Sequence, residues 1–283
     1  MKKALLIGIN YINDINARLY GCINDNIALK NMLVDAYGYS NENITFLRDD
    51  VSNLNIIPTR FNILKNLKKI VSESGSLSEI WIHYSGHGSY IYNINSDESD
   101  KQEEVIVPSD YKTNGVIIDN EIRDLLNNSK TRIILTTDCC HSGSICDLPY
   151  NYTVKNNTII QTEISKIMLN KNIYKLSGSR DDQTAMDTYS EESRVYMGAF
   201  TMGLLESLRK RNHNTSLIQL YMDINDYLKN NNFTQECVLS SSNDTPYIKI
   251  TRNGFNVINT KTKNIGNFST GNGGRFNMFR NMY

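Results

Sequence analysis

The residues of this chain best suited to chemistry are a thiol and an imidazole at two glycine-flanked corners. His87 stands in His83-Tyr84-Ser85-Gly86-His87-Gly88 and Cys140 in Asp138-Cys139-Cys140-His141-Ser142-Gly143, each segment closing an apolar run. A cysteine attacks carbonyls only as the thiolate, and an imidazole beside it can hold or remove the proton. Glycines on both sides of His87 let backbone approach a substrate closely. The amides of Gly88 and Cys140 would then face the oxyanion that forms on an attacked carbonyl.

The neighbouring residues divide by strand alternation. Asp138 and Cys140 should project one way and Cys139 toward the opposite layer. Cys140 is therefore read as the nucleophile and Cys139 as packing, a common state of free cysteine. His83 and His87 are four apart, which on a helix would suggest a metal pair. Ser85, Gly86 and Gly88 argue against a helix, so His83 is read as a core or supporting histidine and His141 as structural.

The elements that must hold this pair alternate between strand and helix patterns. Residues 3 to 9 form an apolar run suited to a strand buried on both faces. A helix after Gly21 turns Ile23, Ile27, Leu33 and Val34 inward and ends before Gly38. Ile44 to Leu47 form a strand, and Thr59 caps a helix carrying Phe61, Leu64, Leu67 and Val71. Glu79 to Tyr84 form a strand, Asp97 to Glu104 an acidic loop, Asn120 to Leu126 a short helix, and Arg132 to Thr137 a central strand. Residues 151–171 read as a polar connecting loop with a helical turn near Ile164 to Leu169. Asn172 to Ser177 form a strand, helices lie around Phe200 to Leu208 and Leu217 to Leu228, and Tyr247 to Thr251 form a last strand. This alternation predicts an α/β fold, a mostly parallel sheet with helices on both faces, whose sites lie at the carboxyl ends of its strands.

Composition narrows the function. The 283 residues include 30 Lys+Arg and 30 Asp+Glu, so no global field points to nucleic acid or a membrane surface. Five cysteines without a CxxC spacing fit neither a disulfide framework nor a zinc site, and a reducing, cytoplasmic location is expected. The first apolar run is too short for a signal peptide. Residues 252–283 are Asn- and Gly-rich and read as a flexible tail.

These segments, with Gly21-Cys22-Ile23-Asn24-Asp25, Val107-Pro108-Ser109-Asp110-Tyr111, Asp147-Leu148-Pro149-Tyr150 and Ser177-Gly178-Ser179-Arg180-Asp181-Asp182-Gln183-Thr184, resemble a type I metacaspase, a cysteine peptidase of the caspase-like fold. The match runs in family order from about residue 2 to 251. It implies a three-layer sandwich with a p20-like part (1–150), the connecting loop and a p10-like part (172–251). It also implies a monomer, and cleavage of proteins or peptides after arginine or lysine. Matching the motifs places Cys22, Asp25, Ser85 and Asp138 in the pocket for that basic side chain and Asp182 and Gln183 at its rim. Taken alone, Asp25 also reads as a solvated carboxylate in a first helical turn.

The resemblance further implies calcium as an activating cofactor, held by Glu103, Asp119, Asn120 and Asp147. The family usually has aspartate where Glu103 and Asn120 stand, and the same residues also read as a solvated acidic loop. No family-type N-terminal extension is expected. Lys155, Lys166, Lys171, Arg275 and Arg280 are candidate self-cleavage sites. The alternative is a pseudopeptidase or paracaspase-like scaffold that binds basic peptides without turnover.

Overall fold

A computed structural model describes residues 1–92, 102–140, 145–155, 158–165, 169, 172–178, 187–190, 195–245 and 247–257. In chain order the first half comprises β1 (Lys2–Gly8), α1 (Cys22–Tyr37), β2 (Ile44–Arg48), α2 (Arg60–Ser72), β3 (Glu79–Ser85), β4 (Gly88–Tyr92) and β5 (Gln102–Ile106). It continues with α3 (Tyr111–Asn114), β6 (Ile117–Ile118), α4 (Asp119–Leu126) and β7 (Ile133–Asp138). The second half comprises β8 (Tyr150–Lys155), β9 (Thr158–Glu163), β10 (Ile173–Ser177), β11 (Asp187–Ser190), β12 (Val195–Gly198), α5 (Ala199–Lys210) and β13 (Thr215–Ser216). It ends with α6 (Leu217–Asn230), β14 (Val238–Ser241), β15 (Ile248–Thr251) and β16 (Gly254–Val257).

Eight strands make the central sheet in the order β2-β1-β3-β7-β10-β14-β8-β9. The first five run parallel, and β14, β8 and β9 join antiparallel. Alternation in the apolar strands splits their side chains between two layers. Ala4, Leu6, Trp81, Ile134 and Leu176 face α1, α5 and α6 through Leu29, Leu33, Leu204 and Ile224. Leu5, Ile7, Ile80, Ile82 and Leu135 face α2 and α4 through Ile63, Leu67, Ile122 and Leu126. The result is the three-layer α/β sandwich of caspase-like proteins. Emptying one such position, as Leu33→Ala would, costs ~2–5 kcal/mol.

Helix starts follow their capping chemistry. The Thr59 hydroxyl accepts from Asn62 N at the start of α2, and the Ser216 hydroxyl from Gln219 N at the start of α6. Among the described residues no helix is long and apolar enough to cross a membrane.

The fold corrects several expectations. Residues 150–155 and 158–163 are no loop: β8 and β9 pair antiparallel on the antiparallel side of the sheet. Tyr152 and Ile159 are buried there while Ile160 is exposed, a two-residue alternation that the polar composition masks. Gln102 to Glu104 belong to β5, because pairing with β4 satisfies their backbone despite the acidic side chains. Residues 254–257, read as the start of a tail, pair with β15 as β16. Phe61 is exposed and Ile63 takes the buried place in α2. Ile248 to Thr251 lie in a small sheet with β13 and β16, and the central sheet uses Val238 to Ser241 instead.

Candidate active site

The parallel strands β1, β3 and β7 end side by side, with Ser85 registered on Gly8 and on Asp138. The chain leaves β3 through Gly86 and His87 and enters β4 at Gly88. The His87 amide donates to the Tyr11 hydroxyl at 2.8 Å, and its carbonyl accepts from the Tyr84 hydroxyl at 2.6 Å. Burial pushes both phenols well above their ordinary range, so they stay protonated and keep donating. The imidazole lies against the Tyr11 ring, centroids 4.6 Å apart. Its Nε2 is 2.7 Å from the carbonyl oxygen of Ala17. A carbonyl only accepts, so Nε2 carries the hydrogen and Nδ1 is the basic nitrogen.

Cys140 follows β7. Cys139 is 1% exposed and packs among Leu135, Ile145 and Leu148, while Cys140 is half-exposed. The His87 and Cys140 corners touch through backbone. A Cβ on Gly88 would lie 2.0 Å from the Cys140 carbonyl oxygen. Only glycine permits that approach, which sets the base-bearing turn directly against the thiol-bearing one. The same closeness brings the amides of Gly88 and Cys140, the candidate oxyanion donors, into neighbouring backbone. His83 lies below, fully buried, with Nδ1 2.8 Å from the Thr136 hydroxyl, and desolvation pushes its pKa down to about 3.

Two buried carboxylates sit beside the pair. Asp25, in the first turn of α1, is 0% exposed, and Asp138 at the end of β7 is 4% exposed. Asp25 accepts from Ser85 Oγ at 2.6 Å and from the Gly198 amide at 2.8 Å. Asp138 accepts from the amide and hydroxyl of Thr201, at 2.8 and 2.7 Å, in the first turn of α5. These bonds set the carboxylate at the positive end of that helix. Gly198 lies between the two acids: a Cβ there would be 2.1 Å from Asp138 Oδ2. Cys22, also buried, opens α1. The structure thus gathers Asp25, Ser85 and Asp138, with Cys22 on the same helix turn as Asp25. Asp182 and Gln183 lie outside the described residues.

A second acidic cluster joins β5 and the start of α4 to Asp147, which follows β7. Glu104, Asp119 and Asp147 each bring a carboxylate oxygen within 4.8 Å of the others. The cluster contains Glu104, whereas the sequence reading names Glu103. Both are buried, but side chains alternate along β5, and Glu104 is the one on the cluster's face. Asn120 adds a buried Oδ1 without a hydrogen-bond partner among the described residues. The donors are all oxygens, which suits a hard cation such as calcium. Asp147 also pairs with Arg123, Nη1 to Oδ2 at 3.0 Å. Cys146 and Asp147 take positive φ, 75° and 38°, a region unfavourable for side-chain-bearing residues. Lys175, itself buried, holds this loop by donating to the Ile145 carbonyl at 2.7 Å.

Sequence reasoning missed the Ala17 carbonyl, because a backbone acceptor on an irregular loop leaves no residue-type signal. It also missed Thr201, although a threonine three residues into a helix is a recognisable partner for an incoming acid.

A three-layer α/β fold with a histidine and a cysteine at the carboxyl edge of its parallel strands defines a caspase-like protein. The comparisons narrow that class. Residues 2–149 match the family model for the metacaspase, peptidase C14 domain, and the chain belongs to that family. It is 40% identical over 188 residues to Metacaspase-1 of Eremothecium gossypii, covering 65% of this chain and 39% of that protein. With Metacaspase-1 of Saccharomyces cerevisiae identity is 41% over 157 residues, covering 54% and 36%. With Metacaspase-1A of Neurospora crassa it is 32% over 290 residues, covering 85% and 63%. The matched regions therefore span from about a third to under two thirds of these relatives' lengths. The solved structure of protein GSU0716 from Geobacter sulfurreducens shares the fold, with TM-score 0.59 and 18% identity over 86% of this chain and 94% of that one.

Proposed function

We propose that the chain is a cysteine endopeptidase that cleaves protein or peptide substrates after arginine or lysine. The observation that carries this reading is the pair of buried carboxylates, Asp25 and Asp138, beside the His87–Cys140 corner. Carboxylates are the groups that pair with a guanidinium or ammonium, and two of them stand beside the cleavage chemistry. His87 Nδ1 takes the thiol proton, fixed in that role by the Ala17 carbonyl. The Cys140 thiolate attacks the scissile carbonyl, and the amides of Gly88 and Cys140 hold the oxyanion. His87 returns the proton to the leaving amine, and water then releases the acyl group.

Calcium fits the Glu104, Asp119, Asn120 and Asp147 oxygens, and when bound it would supply a divalent charge that ties β5 and α4 to the loop following Cys140. Lys166 and Lys171 lie between β9 and β10 in sequence and are the first candidates for self-cleavage. Activity in the cytoplasm as a monomer completes the reading.

The test offers fluorogenic peptides ending in Arg, Lys or Asp to wild type and Cys140→Ala, with calcium or chelator. The expected result is turnover of Arg and Lys peptides by wild type alone. Absence of turnover under every condition would overturn the peptidase reading and favour a binding module for basic peptides.

A further inference from the structure

The acidic cluster contains a cation of its own. Arg123 lies in α4, one turn after Asp119, and is 8% exposed. Its Nη1 pairs with Asp147 at 3.0 Å, while its Nε has no hydrogen-bond partner among the described residues and sits 3.6 Å from the carboxylate of Asp124, which is 76% exposed. The guanidinium thus pairs closely with Asp147 and more loosely with the solvent-facing Asp124. Arg123 is a cation paired with this cluster of three carboxylates.

We propose that Arg123 is a built-in competitor for the metal site: it occupies Asp147 in the empty cluster, raises the concentration of divalent cation needed to fill it, and holds the loop after Cys140 to α4 meanwhile. The inference rests on the calcium reading above. Its physical basis is that a cation entering among Glu104, Asp119 and Asp147 meets a fixed positive charge on one of its ligands. That charge stabilises the empty cluster and opposes the filled one. Both effects weaken binding, so removing the charge must tighten it. Asp147 reaches both partners from one place: a carboxylate oxygen lies in the cluster and Oδ2 meets Arg123, while Lys175 anchors the preceding turn.

The experiment is calorimetric titration of calcium into the full chain carrying Cys140→Ala, which prevents self-cleavage, alone and with Arg123→Gln, Arg123→Lys or Asp147→Asn. The expected result is a Kd at least about tenfold lower for Arg123→Gln and near the parent for Arg123→Lys, which keeps the charge. In chelator, Arg123→Gln should melt lower than the parent, and calcium should restore it. Arg123→Met, which keeps the apolar stem, carries the same comparison should the glutamine variant not fold. Unchanged or weaker binding by Arg123→Gln or Arg123→Met, or equal tightening by Arg123→Lys, overturns the proposal. If the parent binds and Asp147→Asn does not, that failure concerns Arg123 alone. If the parent takes up no calcium, the calcium reading falls and this proposal with it.

Discussion

Replacing Gly88 by alanine sets a methyl group 2.0 Å from the Cys140 carbonyl oxygen and 3.2 Å from Cys139 Sγ. A carbon normally approaches such an oxygen to roughly 3.3 Å, so the two corners must part by about 1 Å. Neither side is a flexible chain end. One is backbone next to the thiol, and the other is the first residue of β4, paired with Ile106. Overpacking of this kind costs ~1–3 kcal/mol of stability. A misplacement of ~1 Å between reacting groups costs ~100-fold in rate. Gly88→Ala should therefore fold, melt lower, and lose at least about 100-fold in kcat/KM on an Arg peptide. It should also slow alkylation of Cys140 by iodoacetamide. Gly115→Ala is the control: no atom lies within 4 Å, but φ 75° and ψ −175° make any side chain strained, at ~1–3 kcal/mol. It should lose comparable stability and keep its activity. Wild-type kcat/KM in Gly88→Ala would refute the contact between the two corners.

Asp25→Asn leaves the pocket isosteric but removes one charge, and kcat/KM for Arg peptides should fall at least about 30-fold. On the proposed calcium site, wild type should melt higher with calcium than with chelator, Glu104→Gln should not, and Glu103→Gln should. Equal effects would restore Glu103 to the ligand set. His83 has a folded pKa of about 3 against an ordinary 6.5, so only the unfolded chain takes up its proton between those values. Stability is therefore full above pH 6.5 and declines as pH falls toward 3, by ~2 kcal/mol at pH 5. Chemical denaturation at pH 7 and pH 5 should show this loss in wild type and a smaller one in His83→Gln; identical slopes would refute it.

The parallel half of the fold is legible in the sequence because its strands are continuous apolar runs bounded by glycines and capped helices. The antiparallel half is not. Tyr150 to Glu163 spread their apolar residues over one strand face among many polar ones, and Val238 to Ser241 form a strand too short to stand out. At the site, His87, Cys140 and Asp138 can be found from residue type and alternation, and Asp25 from motif order. The choice between Glu103 and Glu104 depends on which face of β5 meets α4, a tertiary fact. The tautomer of His87 rests on a main-chain oxygen, and the cluster's own guanidinium becomes visible only when α4 is laid beside the loop carrying Asp147.

The β8–β9 pair gives self-cleavage an unexpected appearance. A cut after Lys166 or Lys171 falls between β9 and β10, yet β8 is laced to β14 and β14 to β10. The two pieces would each own strands of one sheet. Sizing under native conditions would report a single particle, and a denaturing gel two. Once melted, the pieces would have to find each other again, so the nicked form would refold as a bimolecular reaction whose midpoint shifts with protein concentration.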